Sequence, residues 1–259
     1  MKVVILAGGF GTRISEESYL RPKPMIEIGG HPILWHIMKI YSSYGFHDFI
    51  ICLGYKGYMI KEYFADYYLH TSDVTFDFTN NNMMTVHNNV SEPWKVTLVD
   101  TGLNAQTGAR IKRIRKYLDE ETFLLTYGDG VSNVDIPDLL KKHYDNKEAI
   151  VTMTAIQPGG RFGMLEIADN NHVKRFVEKA KEDGGWINGG FMAVNQKVFD
   201  YIDDDEQTKF EEFPLEQIAK SGGLQAYKHE GFWQCMDTKR DKDMLENMWN
   251  NGNPAWKLW

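Results

Sequence analysis

The first cluster of residues able to bind an anion follows the apolar run VVIL near the amino terminus. The stretch LAGGFGTRISEESYLRPKPM, residues 6–25, carries Gly8, Gly9 and Gly11 directly after that run. Glycines let backbone N–H groups approach phosphate oxygens without obstruction from a Cβ atom, and successive N–H groups form a positively polarised concavity. We therefore predict that this loop binds phosphate.

Two cations and two prolines complete the stretch. Arg13 offers a fork of hydrogen-bond donors and Lys23 a compact point charge, which are complementary ways of holding a polyphosphate. Pro22 and Pro24 flank Lys23 and restrict the backbone around it, so we expect the lysine to be held in a fixed direction. The alternative is a glycine turn followed by a surface lysine, which accounts for neither the arginine nor the prolines.

Two better-known phosphate motifs do not fit this stretch. A dinucleotide-binding fingerprint requires a third glycine where the sequence has Ile14. A P-loop requires Gly-Lys-Ser or Gly-Lys-Thr, and neither triplet occurs in the sequence. The loop must therefore serve a different phosphate chemistry.

Two aspartates could supply a metal site. Asp129 lies between Gly128 and Gly130, directly after the apolar run FLLTY, and Asp237 follows the aromatic stretch GFWQCM. Carboxylates suit Mg²⁺, which keeps few protein ligands and takes the others from water and substrate phosphates. Each aspartate also has an ordinary interpretation, since Asp129 suits a glycine turn and Asp237, beside Thr238, suits the capping of a following helix. As a pair they predict a Mg²⁺ site.

A third polar patch combines Glu178 and Lys179 with Asn188 and Gly189. A carboxylate suits sugar hydroxyls, a lysine suits a phosphate monoester, and a glycine lets a small polar ligand approach the backbone closely. The alternative is a pair of solvated charges at the end of a strand. The eight histidines show no metal-ligand spacing, so we interpret them as structural or surface residues.

The bulk composition excludes several classes of protein. The chain has 259 residues, a hydrophobic fraction of 42% and a net charge of −7, which indicates a globular protein and argues against nucleic-acid binding. The basic stretch Arg110–Lys116 has isoleucines at helical spacing, so we interpret it as a solvated helix face. Cys52 and Cys235 predict buried, reduced thiols. No segment approaches the ~20 apolar residues of a membrane helix, and glycines interrupt the apolar amino terminus, so we expect a cytoplasmic protein without a membrane partner.

Strand and helix patterns alternate along the chain, which predicts an α/β fold with a mostly parallel, mixed central sheet flanked by helices. Apolar and β-branched runs predict strands at Lys2–Ala7, Phe49–Leu53, Val96–Asp100, a segment ending at Tyr127, Trp186–Val194 and Leu224–His229. Apolar residues at helical spacing predict helices at Pro32–Tyr44, Tyr58–Tyr68, Arg110–Leu118, Phe213–Lys220 and Arg240–Asn250. In such a sheet, ligands bind beyond the carboxyl ends of the strands.

Two asparagine-rich turns predict β-hairpins added to this sheet. Asn80–Asn82 separates strands near 74–78 and 85–88, and 169–171 separates Gly163–Ile167 from His172–Val177. The tail NPAWKLW would expose two tryptophans on an irregular segment. We therefore expect the tail to dock on a neighbouring element or on another subunit.

The order of these patches, GGFGTR with RPKPM, then GDG, EKxK, NGG and MDT, resembles the sugar-nucleotide pyrophosphorylases, also called sugar-1-phosphate nucleotidyltransferases. The resemblance spans nearly the whole chain and includes IGGHPILWHIMKIY, FIICLGYKGYMIKEYF and GFWQCMDTKRDK. It implies a Rossmann-like nucleotidyltransferase fold in one domain, residues 1–259, with a nucleotide-binding part at 1–130 and a sugar-phosphate-binding part with a C-terminal subdomain at 131–259. The family's EKPK is EKAK here, with Ala180, and its GGK is GGH, with His31.

The resemblance also assigns roles to individual residues. It implies that the nucleotide is bound by Leu6, Ala7, Gly8, Gly9, Gly11, Thr12, Arg13, Lys23, Thr107, Gly108 and Asp129. Arg13 and Lys23 would be catalytic, because they would neutralise charge on the α-phosphate and on the departing pyrophosphate. Mg²⁺ would bind Asp129 and Asp237. The sugar phosphate would be bound by Gly163, Glu178, Lys179, Asn188 and Gly189.

Within this family, the resemblance implies CTP and α-D-glucose 1-phosphate as substrates, and a homo-oligomer with a hexamer among the expected forms. The CDP-glucose product would feed the synthesis of dideoxy sugars for bacterial surface polysaccharides such as lipopolysaccharide O-antigen. Two alternatives stay open: dTTP, UTP or GTP with another hexose phosphate, and a non-catalytic regulatory subunit that binds sugar nucleotides. A regulatory subunit should have lost a metal ligand or the signature lysine, whereas this chain keeps them.

Overall fold

Strands and helices alternate along the chain in the computed structural model, which describes residues 1–88, 90–157, 164–167, 173–177 and 185–259. The described strands are β1 Lys2–Leu6, β2 Glu27–Ile28, β3 His31–Pro32, β4 Asp48–Leu53, β5 Asp73–Asp77, β6 Met83–His87, β7 Lys95–Asp100, β8 Thr122–Tyr127, β9 Gly130–Ser132, β10 Val151–Ile156, β11 Met164–Ile167, β12 Val173–Val177, β13 Ile187–Asn195, β14 Leu224–His229 and β15 Trp233–Cys235. The described α-helices are α1 Ser15–Ser18, α2 Ile33–Ser43, α3 Gly57–Ala65, α4 Tyr67–His70, α5 Thr107–Arg113, α6 Ile136–Asp145, α7 Phe213–Lys220 and α8 Lys239–Asn250.

Seven strands form the central sheet, in the order β14-β10-β13-β8-β1-β4-β7. Strand β1 pairs in parallel with β4 and β8, β4 with β7, and β10 with β14, whereas β13 runs against both of its neighbours. This arrangement confirms the predicted mixed, mostly parallel sheet. Because β1, β4, β7 and β8 point the same way, the loops after Leu6, Leu53, Asp100 and Tyr127 meet at one edge.

Apolar side chains cover both faces of this sheet. Val3 and Ile5 belong to the cluster that includes the buried residues of α2, and Val4 and Leu6 belong to the cluster that includes Ile111 of α5. Successive strand residues point to opposite faces, so β1 contributes to both clusters. Burial on both faces explains the uninterrupted apolar run of β1.

The predicted helices form, with two changes of boundary. Helices α2, α7 and α8 match their predicted ranges within one residue at each end. The helix predicted at Tyr58–Tyr68 is instead two helices, α3 and α4, which meet at Asp66. The helix predicted at Arg110–Leu118 begins earlier and ends at Arg113, and a 3-10 turn follows at Arg115–Tyr117. Apolar residues continue along the sequence through α4 and the 3-10 turn, although neither contains a buried residue, so the spacing alone could not locate the helix ends. Helix α6 and strand β10 add to the predicted elements.

Both predicted hairpins are present as strand pairs. Strands β5 and β6 pair antiparallel, and Asn81 and Asn82 in the turn between them adopt φ angles of 52° and 57°. Asparagine tolerates this left-handed conformation better than most residues, because its short side chain bonds locally. Strands β11 and β12 also pair antiparallel. The turn at 169–171 and the first residues of the two predicted strands, Gly163 and His172, lie outside the described residues.

The carboxyl-terminal tail docks on α2 of the same chain. Trp256 is fully buried, and its Nε1 donates a hydrogen bond to Nδ1 of His36 at 3.3 Å. The other ring nitrogen of His36 donates to the carbonyl of Ile28 at 2.8 Å. Burial lowers the pKa of His36 to about 4, so the ring is neutral and Nδ1 is free to accept. The tail thus meets a neighbouring element, which is one of the two expected outcomes.

Two further features concern the cysteines and the length of the helices. Cys52 and Cys235 are both free thiols, with Cys52 fully buried and Cys235 half-buried. Free thiols are usual in reducing compartments. Along the described residues, none of the helices combines the length and the apolar character needed to cross a bilayer.

Candidate active site

The glycine-rich loop lies at the carboxyl end of β1, and two of its glycines are required by what packs against them. A Cβ atom at Gly8 would overlap the guanidinium of Arg110. Gly11 has a φ of +66°, and a Cβ atom there would meet Ser18 and Lys23 at 3.2 and 3.3 Å. The space around Gly9 is open instead. Side chains of the protein therefore pack against Gly8 and Gly11, while Gly9 faces open space.

Lys23 is buried, and the two prolines hold it within a 3-10 turn at Lys23–Met25. Its Nζ donates to Oδ2 of Asp129 at 2.5 Å and to Oδ1 of Asp237 at 2.6 Å. Burial alone would lower the pKa of Lys23, but the charge of Asp129 and the hydrogen bonds that the lysine donates to both carboxylates outweigh burial and raise the pKa. The structure thus brings together residues that lie more than a hundred positions apart in the sequence.

The pairing of two short strands brings the aspartates together. Strand β9 pairs antiparallel with β15, which places Gly130 opposite Cys235. The N–H of Met236 then donates to the carbonyl of Asp129 at 2.8 Å. Asp129 directly precedes β9 and Asp237 lies two residues after β15, so the pairing of these strands brings the two aspartates close together.

Asp237 lies just before α8 and is not the capping residue of that helix. Thr238 is the N-cap, and Thr238 with Asp241 forms a reciprocal capping box. The Asp241 carboxylate also accepts the N–H of Asp237 at 3.1 Å. The side chain of Asp237 is therefore free to accept from Arg13 Nη1 at 2.5 Å and from Lys23. Burial opposes the charge of Asp237, but the hydrogen bond and charge of Lys23 and the charge of Arg13 lower its pKa.

The paired carboxylates have the donor chemistry of a hard cation site. Both accepting oxygens lie within 2.6 Å of the same lysine nitrogen, so Asp129 and Asp237 converge on one cationic position. Across the described part of the chain, no group of three or more His, Cys, Asp or Glu is placed to hold a metal. A divalent cation here would take its other ligands from water and phosphate, as Mg²⁺ commonly does.

An open cleft of about 430 Å³ connects these groups to the glycine-rich loop. It is lined by the following residues: Leu6, Ala7, Gly8, Gly9, Phe10, Gly11, Thr12, Arg13, Lys23, Pro24, Leu103, Asn104, Ala105, Gln106, Thr107, Arg110, Tyr127, Gly128 and Asp129. This lining includes every predicted nucleotide-binding residue except Gly108. Gly108 packs behind the cleft, where a Cβ atom would meet Thr208 at 2.8 Å.

The predicted sugar-binding residues are described only in part. Asn188 Nδ2 donates to the hydroxyl of Tyr127 at 3.0 Å, which places Asn188 next to the cleft. The carbonyl of Gly189 accepts from Nε1 of Trp233 at 2.7 Å. The other three predicted residues, Gly163, Glu178 and Lys179, lie outside the described residues.

The sequence interpretation of Arg110 as part of a solvated helix face is wrong. Arg110 is 4% exposed, although Ile111 and Ile114 are buried as their spacing predicted. Its guanidinium bonds the carbonyls of Leu53 at 2.9 Å, Gly102 at 2.8 Å, Gly8 at 3.0 Å and Leu103 at 3.3 Å, and the hydroxyl of Thr101 at 2.8 Å. The glycines at positions 8, 54 and 102 make room for this side chain or its neighbours. A cation bonded to several carbonyls can be buried without a carboxylate partner.

The far wall of the cleft, Leu103–Gln106, and Tyr127 were missed by the sequence reasoning. Both follow or end parallel strands, since β7 ends at Asp100 and β8 ends at Tyr127. The rule that ligands bind beyond the carboxyl ends of strands was the available signal. That rule identifies the segment that lines the cleft. Which of its side chains face the cleft depends on the path of the loop between β7 and α5, which the rule does not predict.

Phosphate binding at the carboxyl edge of a parallel sheet defines a broad class of α/β nucleotide-binding proteins. Within that class, this chain belongs to the nucleotidyl transferase family, whose sequence model matches residues 2–249. The chain is 55% identical over 260 residues to the glucose-1-phosphate cytidylyltransferase of Salmonella typhi, and the match covers 100% of both chains. It is 46% identical over 259 residues to the probable glucose-1-phosphate cytidylyltransferase of Bacillus subtilis, again covering 100% of both. Among solved structures, HddC from Yersinia pseudotuberculosis matches with a TM-score of 0.68 at 26% identity, over 96% of this chain and 99% of that one.

Proposed function

We propose that this chain is a glucose-1-phosphate cytidylyltransferase, which transfers CMP from CTP to α-D-glucose 1-phosphate and so gives CDP-glucose and pyrophosphate. The observation that carries the proposal is the convergence of Lys23, Arg13, Asp129 and Asp237 beside a glycine-rich loop. The identity to relatives of that name, over their full length, supports the choice of substrates.

The proposed reaction is a direct in-line displacement. An oxygen of the sugar phosphate forms a bond to the α-phosphorus of CTP, and the bond from that phosphorus to the bridging β-phosphate oxygen breaks, with its electron pair leaving on pyrophosphate. No protein nucleophile is needed, because positioning and charge stabilisation supply most of what phosphoryl-type transfers require. Arg13 and Lys23 would reduce the repulsion between the two anionic substrates.

We propose that residues 1–130 bind the nucleotide and that 131–259 supply the sugar-phosphate site and a C-terminal subdomain. On the nucleotide side, Leu6, Ala7 and the glycine-rich loop through Thr12 would surround the phosphates, with Thr107 and Gly108 towards the base. On the sugar side, Lys179 would bind the phosphate, and Glu178, Asn188, Gly189 and Gly163 would bind glucose. The placement of Asn188 next to the cleft supports this division.

Mg²⁺ is the proposed cofactor, held by Asp129 and Asp237. When bound, it would neutralise phosphate charge and orient the triphosphate. In the present arrangement the Lys23 ammonium bonds both carboxylates. On substrate binding, nucleotide phosphates would have to replace the carboxylates as partners of Lys23, and a metal ion would have to replace Lys23 as the partner of the carboxylates. The pair of carboxylates and the neighbouring lysine fit that exchange of charges.

Replacing either aspartate should weaken the binding of the Mg²⁺ on which activity depends. Asp129→Asn and Asp237→Asn each remove one anionic ligand, so the Mg²⁺ concentration for half-maximal rate should rise by at least about tenfold. Pyrophosphate release measured across a Mg²⁺ titration would show the shift. Asp243→Asn is the matched control, since Asp243 lies on α8 and pairs only weakly, at 3.9 Å, with Lys239. An unchanged titration in both active-site variants would contradict the metal assignment.

The substrates can be tested directly on the wild-type protein. Incubation with glucose 1-phosphate, Mg²⁺ and each of CTP, dTTP, UTP and GTP should release pyrophosphate efficiently with CTP alone. Release with another nucleotide would replace CTP in the proposal. Tight sugar-nucleotide binding with no release from any nucleotide would instead favour a regulatory subunit.

We further propose a cytoplasmic homo-oligomer, with a hexamer as the expected form, whose CDP-glucose serves the synthesis of surface polysaccharide sugars. The free thiols fit a reducing compartment. The β5–β6 hairpin exposes Phe76, Phe78 and Met83, which would be costly to leave in water. Light scattering of the purified protein measures the mass of the assembly.

A further inference from the structure

A chain of hydrogen bonds joins two residues that line the cleft through Glu211, a residue that the proposed reaction does not use. One carboxylate oxygen of Glu211 accepts from the hydroxyl of Thr107 at 2.5 Å, and the other accepts from the hydroxyl of Tyr127 at 2.6 Å. Thr107 begins α5 and Tyr127 ends β8, and both line the cleft. Glu211 comes from a third element, the segment just before α7.

The chain continues from Tyr127 to the sugar side of the cleft. The Tyr127 hydroxyl accepts from Nδ2 of Asn188 at 3.0 Å. The amide oxygen of Asn188 accepts the N–H of Gly190 at 2.9 Å, which fixes the orientation of that amide. Two groups, Glu211 and Tyr127, therefore connect Thr107 on the proposed nucleotide side with Asn188 on the proposed sugar side.

The direction of every bond in this chain is determined. The Thr107 hydroxyl accepts from the N–H of Phe210 at 2.8 Å and donates its proton to Glu211. The Tyr127 hydroxyl accepts from Asn188 and donates to Glu211. Each hydroxyl donates its single proton to the same carboxylate, so both oxygens of Glu211 act as acceptors. Burial and the negative charge of Glu211 raise the pKa of Tyr127, so the phenol keeps the proton that it donates.

A negative charge next to an anion-binding cleft repels phosphate, so Glu211 does not serve to bind it. A carboxylate also has about four lone-pair sites, of which the two hydroxyls occupy two. The arrangement therefore serves to orient hydroxyl groups on both walls of the cleft.

We propose that Glu211 is a positioning residue that couples the two substrate sites, so that binding of one substrate tightens binding of the other. The proposal rests on the proposed function, since it takes Thr107 and Asn188 to lie beside the nucleotide and the sugar. A ligand that orders Thr107 also orders Glu211 and, through Tyr127, orders Asn188 for the second ligand. The second ligand then loses less conformational freedom on binding.

The coupling can be measured without turnover. The dissociation constant of the α,β-methylene analogue of CTP, whose α–β bridge cannot be cleaved by transfer, is determined by calorimetry with and without saturating glucose 1-phosphate. The ratio of the two constants is the coupling factor, and allosteric factors commonly lie in the range of about 5 to 150. We expect the wild-type protein to show such a factor and Glu211→Ala to lower it by at least about fivefold.

Glu212→Ala is the matched control, because Glu212 is the next residue and its carboxylate pairs with Lys209 at 2.7 Å on the surface. It should keep the wild-type coupling factor. Tyr127→Phe removes the hydroxyl that joins Glu211 to Asn188 and leaves the bond between Thr107 and Glu211 in place. It should therefore lose coupling like Glu211→Ala, and the double variant should lose little more. Losses of coupling that do not add in the double variant would show that Glu211 and Tyr127 act in one chain of hydrogen bonds. Additive losses would indicate two independent packing defects.

Three results would overturn the proposal: no coupling in the wild-type protein, wild-type coupling in Glu211→Ala, or fully additive losses in the double variant. A uniform fall in melting temperature with an unchanged coupling factor would show that Glu211 only anchors the segment before α7. Failure of the proposed function is a separate observation, since it appears as no pyrophosphate release from CTP by the wild-type protein. In that case the coupling is measured with a non-cleavable analogue of whichever nucleotide is turned over, or of CTP if none is.

Discussion

Lys23→Ala should lower kcat by about 10²-fold or more, the scale on which removing one preorganised charge-stabilising group slows an enzyme. Lys23 is buried beside the glycine-rich loop and bonds both Asp129 and Asp237, so its ammonium is fixed before substrates arrive. Water cannot replace a fixed charge without reorganising, so the loss should appear in the chemical step. Pyrophosphate release at saturating CTP, glucose 1-phosphate and Mg²⁺ measures it.

The control for this prediction lies in the same turn. Arg21 is two residues away and its guanidinium pairs with Glu27 at 2.5 Å, away from the cleft. Arg21→Ala therefore removes a neighbouring cation while leaving the cleft intact, and kcat should stay close to that of the wild type. Circular dichroism on both variants checks that they fold. A Lys23→Ala protein that is folded and keeps wild-type turnover would refute the assigned role of the lysine.

The lysine also links charge balance to substrate binding. Without substrates, one ammonium is shared by two carboxylates, which offsets most of their mutual repulsion. Nucleotide phosphates would compete for the lysine, and the carboxylates would then be left to bind a divalent cation. The same three side chains can therefore stabilise the resting protein and supply the proposed site for a metal-bound triphosphate.

Much of the sheet and part of the cleft followed from the sequence, because both depend on local signals. The apolar run of β1 is uninterrupted because both of its faces are buried, and the glycine-rich loop lies at the carboxyl edge because it follows β1 directly. Lys23 could be singled out because prolines on either side constrain the backbone whatever the rest of the fold does. The convergence of Asp129 and Asp237 could only be proposed, since it depends on the pairing of β9 with β15 across more than a hundred residues.

Non-local packing accounts for what the sequence did not reveal. The 3.6-residue spacing of Ile111 and Ile114 identifies a buried helix face, but it does not show that Arg110 is drawn inward by carbonyls from three other segments. Likewise, Glu211 looks like an ordinary exposed carboxylate next to Glu212. Only the fold places Thr107 and Tyr127 within its reach.

Arg110→Met should destabilise the protein by about 3 kcal/mol, because each buried acceptor left without a donor costs about 1 to 3 kcal/mol and water in the adjoining cleft offsets part of the total. Of the acceptors bonded by Arg110, the carbonyl of Gly8 keeps the N–H of Tyr55, and the carbonyl of Leu53 keeps the N–H and hydroxyl of Thr101. The carbonyls of Gly102 and Leu103 are the acceptors that would lose their donor. For a chain of this length, the melting temperature should fall by about 6 to 12 °C. Thermal unfolding followed by circular dichroism measures the change.

Lys116→Met is the matched control, since it removes a cation of the same basic stretch from an exposed position and should change stability by no more than about 0.5 kcal/mol. Arg110→Lys keeps the charge but lacks the planar fork that reaches several carbonyls at once, so its stability should fall between those of the wild type and Arg110→Met. Equal melting temperatures for Arg110→Met and Lys116→Met would mean that the Arg110 guanidinium makes no net contribution to the stability of the folded protein. The predicted order of stability, with Arg110→Met lowest, would instead show that the guanidinium stabilises the contact between the glycine-rich loop and the far wall of the cleft without a carboxylate partner. The phosphate site would then depend on a residue whose sequence context predicts a surface position.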